Sequence, residues 1–418
     1  MQAAAAPDFN QPWELPAEEP LWPVHDSQHA EVVDTVEKFL HIALFEPHVD
    51  RVVVLRDGIR LLQQEGAIPT ALQTAVAKSS TIRGLLGRLG PEIMEGCKAR
   101  LWHYGKPGAE CEIRTGNKEG KANTLREVVD VLIKKEEAGT IPEKAPLYIS
   151  ELRWCKKVAH PRVPGEKVKT ATSCDVYDYT PLARKMPFWE RSEGGIFVGE
   201  RGTGSGLHVD QCLWSNVGRN WCGHKLFAIW PWEERLTILD DVGKGAVFNT
   251  PVTERAAEYL SRAKVIALVR PGDVWVFSGG QPHMALCVGN GLNITAYESM
   301  VPAHPEAVTT LVRTNTLDAH WKKCWMDEED LDELYEDVVD ALQNALEDPE
   351  SSPALLGRLE DCAKAMREQG NAFCRELWDE ADRGLQVKRS PSDTPSAGGK
   401  SSSEPHEVLR RPAKKSKT

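Results

Sequence analysis

Apolar and polar positions along this chain follow two different periods. After a polar segment with five prolines (1–28), Val33, Val36, Leu40 and Leu44 recur at helical spacing, and a second helical region runs from Asp57 to Gly96. Thr124-Leu-Arg-Glu127 forms a capping box ahead of a stripe of Leu125, Val128, Val129, Leu132 and Ile133, with Gly139 as the stop. The helical period returns from Leu317 to Leu385. One stripe there is Leu331, Leu334, Val338, Leu342 and Leu346; another is Leu355, Leu359, Cys362 and Met366. The acidic run that begins at Asp327 reads as a solvated face with favourable charge at a helix start, not as a cation site.

Between these helical regions the period shortens. Cys97–Gly105, Pro146–Ile149, Lys225–Trp230, Val265–Val269, Val274–Phe277, His283–Val288 and Leu292–Ser299 read as strands. Arg270-Pro-Gly-Asp273, Gly279-Gly-Gln-Pro282 and Gly289-Asn-Gly291 break the later ones. Short strands joined by tight Gly and Pro turns predict an antiparallel sandwich or barrel, here a double-stranded β-helix, in an α+β chain. The expected order is a flexible arm (1–28), a helical N-terminal region (29–96), the barrel (97–305), a C-terminal helical region (317–385) and a disordered basic tail (386–418). The proline-bearing connection 156–195 is expected to shape a cleft.

Composition narrows the setting. A chain of 418 residues can bury a sizeable core, and it has no run of about 18 apolar residues that would predict a membrane span. Its start lacks the basic-then-apolar order of a secretory signal, so an intracellular protein of nucleus or cytoplasm is expected. Ten cysteines without a Cys-x-x-Cys pair suit reduced thiols better than a disulfide framework or a zinc module. The net charge of −11 is uneven: Val387–Thr418 holds eight Lys and Arg against three Asp and Glu, a net of +5 that leaves −16 for the rest. An acidic body argues against nucleic acid and for a protein or peptide partner that is basic. The terminal RRPAKKSK matches a nuclear-import signal only as a short basic run. The C-terminal helices either pack on the barrel or form a homodimer interface.

Chemistry concentrates in the stretch Gly202–Trp232. His208 and Asp210 lie two apart, a spacing that on a strand puts both on one face. With His283 they make a two-histidine, one-carboxylate set that suits non-haem Fe(II) and leaves coordination positions open. If Lys225 opens a strand, it shares the inward face with Phe227 and Ile229, where an unpaired ammonium is costly and a bound carboxylate offsets the cost. Asn293 and Thr295 form a polar face opposite Leu292, Ile294 and Ala296. Gly202-x-Gly-x-Gly206 is not a phosphate loop, because no Lys-Ser or Lys-Thr follows and the next segment reads as strand.

The order of these features resembles the JmjC family of cupin-fold (jelly-roll) Fe(II)- and 2-oxoglutarate-dependent oxygenases, and most closely its JmjC-only protein hydroxylase branch. The resemblance covers Cys97 to Met300 and is clearest in GTGSGLHVD, GHKLFAIWP and RPGDVWVFSGGQPHMALCVGNGLNITAYES. It implies that His208, Asp210 and His283 bind Fe(II), and that Lys225 pairs with 2-oxoglutarate. By the same resemblance Thr295, Tyr148 and Ser205 are cosubstrate contacts, and Asn216 or Asn220 substitutes for an asparagine that would fall near Gly218. Gln211 stands where the branch commonly has proline, and Cys287 where it has asparagine. The implied reaction is O2-dependent hydroxylation of a protein side chain, with 2-oxoglutarate converted to succinate and CO2. On an N-methyl group the same chemistry is a demethylation, and a cupin-like scaffold without turnover is the alternative from another class. No chromatin-reading finger accompanies the barrel.

Overall fold

The structure is a computed structural model that describes residues 29–62, 68, 70–104, 110–115, 124–154, 195–210, 215–234, 238, 254–288, 291–312 and 353–369. The arm 1–28, nearly all of the 156–195 connection, Gln211, the acidic run, the Leu331–Leu346 stripe and the basic tail lie outside the described residues.

Thirteen strands are described: β1 (Glu31–Val33), β2 (Val52–Leu55), β3 (Cys97–Tyr104), β4 (Glu110–Glu112), β5 (Leu147–Trp154), β6 (Ile196–Gly199), β7 (Gly204–His208), β8 (Ser215–Cys222), β9 (Lys225–Ile229), β10 (Val265–Val269), β11 (Val274–Ser278), β12 (His283–Cys287) and β13 (Asn293–Met300). They form a nine-stranded sheet in the order β1-β2-β11-β8-β13-β6-β5-β3-β4 and a four-stranded sheet in the order β10-β9-β12-β7. Every pairing is antiparallel except β1 with β2, whose connection carries the helix Val36–Phe45.

The α+β expectation is met, with one correction at the N-terminal side. Region 29–96, expected to be a helical region, also contributes β1 and β2 to the large sheet. Val52-Val-Val-Leu55 is four residues of β-branched and leucine side chains, too short for an independent helix and well suited to a sheet buried on both faces. The capping box is present, with Thr124 Oγ1 and the Glu127 carboxylate each accepting from the other residue's backbone amide, and the helix Leu125–Glu137 follows it.

Alternation along the strands divides the core into layers. Val53, Leu55, Val217, Val274 and Val276 face outward onto the helices Val36–Phe45 and Pro353–Gln369. Leu355, Leu359, Cys362 and Met366 therefore pack on this sheet, and the Leu355 stripe is spent within the chain. Ile294 and Ala296 face a second group built from the helices between Thr70 and Met94 and from Leu125–Glu137. Leu226, Ala228, Met284 and Leu286 cover the outside of the small sheet.

The opposite parity fills the space between the sheets. Val52, Val54, Phe227, Ile229, Trp275 and Phe277 pack there, each fully burying an apolar side chain at about 1.5–3 kcal/mol. The same inward parity carries Asn216, Asn220, Lys225, His283, Asn293 and Thr295, all buried. The interior thus carries polar side chains at both ends of the ladders, His283 and Asn216 at one and Lys225, Asn220, Asn293 and Thr295 at the other, with Phe227 and Trp275 between them.

Candidate metal centre

Two backbone irregularities set up the centre. In the β7–β12 ladder, His208 lies opposite His283 and Ser205 opposite Ala285, with a register shift between them. Gly206 and Leu207 on β7 oppose Met284 alone on β12, so Ser205 and His208 share the inward face although strict alternation would separate them. Asp210 lies two residues beyond the end of β7. Its placement comes from the turn after β11, where the Gly279 carbonyl accepts the Asp210 amide at 3.0 Å. The same-strand spacing expected for His208 and Asp210 therefore holds for the histidine alone.

His208, Asp210 and His283 meet as expected, with their ligand atoms all within 4.8 Å of one another. Nε2 of each histidine lies 3.6 Å from Asp210 Oδ1. His208 Nδ1 contacts the Gly206 carbonyl at 2.6 Å, and His283 Nδ1 contacts the Gln281 carbonyl at 2.8 Å. A carbonyl only accepts, so each Nδ1 carries the proton and each Nε2 presents a lone pair. Burial and the neighbouring His208 lower the pKa of His283 to about 4, which keeps the ring neutral at physiological pH.

Burial raises the pKa of the Asp210 carboxyl, but the charge that His283 and His208 carry when protonated and the Asn216 amide outweigh this and lower the pKa on balance. Asn216 Nδ2 donates to Asp210 Oδ2 at 2.5 Å, which leaves Oδ1 aimed at the histidines. A Cβ at Gly279 would sit 2.2 Å from Oδ2, so only glycine admits the carboxylate here. Two neutral imidazoles and one carboxylate fit a divalent cation and leave it a net charge of +1.

Lys225 is fully buried, and its Nζ has no hydrogen-bond partner among the described residues. Burial pushes its pKa down, and the ammonium lies 5.5 Å from the centroid of the Tyr297 ring. In the β9–β12 ladder Lys225 pairs with Cys287, while Ile229 pairs with His283. Four strand positions, about 13 Å of backbone, separate Lys225 from His283, and both side chains enter the same interior.

Other expected contacts line this interior. Tyr148 Oη lies 3.3 Å from Ser205 Oγ. Thr295 Oγ1 lies 3.0 Å from Asn220 Oδ1 and 2.9 Å from Asn293 Oδ1, and Asn293 Nδ2 donates to Asn220 Oδ1 at 2.8 Å. Asn216, one of the two asparagines expected at the cosubstrate, donates to Asp210, and Asn220, the other, stands beside Thr295. Gly218 holds no polar group because the Trp275 ring occupies the position: a Cβ there would lie 2.4 Å from it.

Tyr297 was not anticipated. It continues the inward parity of Asn293 and Thr295, so the signal was present, and it stacks edge-on with Phe197 and Trp275. Gln281 and Asp50 also escaped notice, since their roles depend on a contact across 231 residues.

No family model matches this chain, and no curated protein does. Solved structures that overlap it include YcfD, a ribosomal oxygenase from Escherichia coli, at 15% identity over 84% of this chain and 71% of that one, with a TM-score of 0.32. The same enzyme in complex with cobalt and succinic acid overlaps at 13% identity over the same shares, also with a TM-score of 0.32. At that level the overlap is partial, and the reading of the centre rests on its own residues.

Proposed function

We propose that this protein is an Fe(II)- and 2-oxoglutarate-dependent oxygenase of the JmjC type. The carrying observation is Lys225: a buried ammonium without a hydrogen-bond partner in the same interior as an open three-ligand face. Two imidazoles and a carboxylate also suit Zn(II), so the ligands alone leave the chemistry undecided. An orphan cation costs several kcal/mol unless an anion joins it, and a short dicarboxylate reaching from Lys225 to the metal answers both demands.

The topology supports the fold this implies. From β6 to β13 successive strands change sheet at every step except β9 to β10, which pair within the small sheet, so that β11-β8-β13-β6 faces β10-β9-β12-β7. We read this as a double-stranded β-helix extended by β1 and β2 on one side and β5, β3 and β4 on the other.

With Fe(II) and 2-oxoglutarate bound, the centre supplies the redox chemistry in which O2 and 2-oxoglutarate yield succinate and CO2 while one oxygen atom enters a substrate C–H bond. The chain's part is to bind, orient and exclude water. His208, His283 and Asp210 hold the ion on one side. Lys225 anchors the distal carboxylate, with Ser205, Tyr148 and Thr295 on the surrounding wall. Phe227, Phe277 and Trp275 keep the space behind it dry.

The substrate we favour is a side chain of a basic protein or peptide, by complementarity with the net −16 outside the tail. N-methyl demethylation is the variant of the same chemistry. No helix among the described residues is long and apolar enough to cross a membrane. The test is succinate formation from 2-oxoglutarate with Fe(II), for wild type against His208→Ala and Asp210→Ala. Turnover in wild type that both variants lose supports the reading. Equal background in all three, with iron bound in wild type, supports a silent scaffold instead.

A further inference from the structure

The turn between β11 and β12 holds two of the three ligands through backbone carbonyls: Gly279 takes the Asp210 amide, and Gln281 takes His283 Nδ1. A carbonyl orients an imidazole only as firmly as its own peptide is fixed. Gln281 is completely buried, and its side chain is bonded at both ends. Its Oε1 accepts the Asp50 amide at 2.6 Å, while its Nε2 donates to Asp50 Oδ1 at 2.7 Å and to the Trp230 carbonyl at 2.9 Å. Asp50 Oδ1 also accepts the Trp232 amide at 3.0 Å. Asp50 itself adopts the left-handed backbone, φ 59°, which costs of order 1 kcal/mol in a residue other than glycine and persists where surrounding bonds enforce it.

We infer that Asp50 is a positioning residue for the metal centre, acting through Gln281 to fix the carbonyl that orients His283. This rests on the reading of His208, Asp210 and His283 as metal ligands. Asp50 precedes β2, the strand that the N-terminal region adds to the large sheet, so the clamp ties that addition to the centre. It also holds the chain just after β9 to the β11–β12 turn, because the Asp50 carboxylate accepts from Trp232 and Gln281, and Gln281 in turn donates to the Trp230 carbonyl. Outer partners of metal-bound histidines typically alter metal affinity by 10- to 100-fold, and Asp50 stands one step further out.

The experiment measures Co(II) affinity by titration, the d–d spectrum of the Co(II)-loaded protein and urea stability, in the full chain. Asp50→Ala should weaken Co(II) binding about tenfold and shift the spectrum. Asp50→Asn keeps an oxygen acceptor for Gln281 Nε2 and the Trp232 amide, and should restore both. Gln281→Met removes the contacts to Asp50 and to the Trp230 carbonyl while keeping its own backbone carbonyl, and should lose at least as much as Asp50→Ala. The double variant should lose no more than Gln281→Met alone, because the Asp50 side chain acts through Gln281. Asp50→Ala with wild-type affinity and spectrum overturns the clamp, as do losses that multiply in the double variant. Should Asp50→Ala fail to fold, wild-type binding by Gln281→Met overturns it equally. Wild type that binds no Co(II) removes the metal-site reading itself, and the clamp with it.

Discussion

Replacing Lys225 by methionine should make the protein more stable and unable to bind 2-oxoglutarate. The ammonium is fully buried without a hydrogen-bond partner among the described residues, and burial lowers its pKa from 10.5. Its cost has an upper bound: at pH 7.5 a lysine can shed its proton for about 4 kcal/mol, three pH units at about 1.36 kcal/mol each. Methionine fills similar volume without charge, so Lys225→Met should gain about 1–4 kcal/mol in the ligand-free protein. The assay is urea denaturation with Mn(II) as a redox-silent metal, with and without 2-oxoglutarate. At a hundredfold excess over Kd the ligand should stabilise wild type by about 2.7 kcal/mol, and Lys225→Met by nothing measurable. A variant that is less stable without ligand, or that keeps the ligand-dependent gain, would refute the assignment of Lys225 as the anion anchor.

Two further outcomes follow from the geometry. Asn216→Leu frees Asp210 Oδ2 and should weaken metal binding about 10- to 100-fold, read by titration with Co(II), while the urea midpoint moves far less than the affinity. His48 is buried between Ser215 Oγ and the Ile42 carbonyl, and burial lowers its pKa to about 4. Between pH 6.5 and about 4 the unfolded chain binds a proton that the folded one refuses, so stability falls as the pH falls through that window. His48→Gln should lose about 2–3 kcal/mol less than wild type between pH 7 and pH 4.5 in urea titrations.

Much of the centre was legible because inward positions on buried strands carry unusual residues. Lys225 before Phe227 and Ile229, and Asn293 with Thr295 against Ile294 and Ala296, announce polar side chains on a parity that should be apolar. Alternation also placed Tyr297, had it been followed two residues further. It failed where the backbone departs from regular strand. The β7 bulge lets residues three apart share a face, and Asp210 reaches the metal side from beyond its strand through a bond to Gly279. Val52–Leu55 was missed because four apolar residues carry too little period to separate strand from helix. The resemblance implies that Asn216 or Asn220 substitutes for the family's asparagine at the cosubstrate; on β8, opposite Phe277, Asn216 bonds Asp210. Asp50 with Gln281 had no local signal, because neither residue type nor spacing reports a contact formed only on folding.

The most direct measurement of the central claim is the fate of oxygen atoms. Protein loaded with Fe(II) and 2-oxoglutarate is exposed to ¹⁸O2, and the succinate formed is weighed by mass spectrometry. A centre built from His208, Asp210, His283 and Lys225 should give succinate carrying one ¹⁸O atom, and Asp210→Ala should give none above background. Unlabelled succinate from wild type, or equal labelling from wild type and Asp210→Ala, would contradict the account.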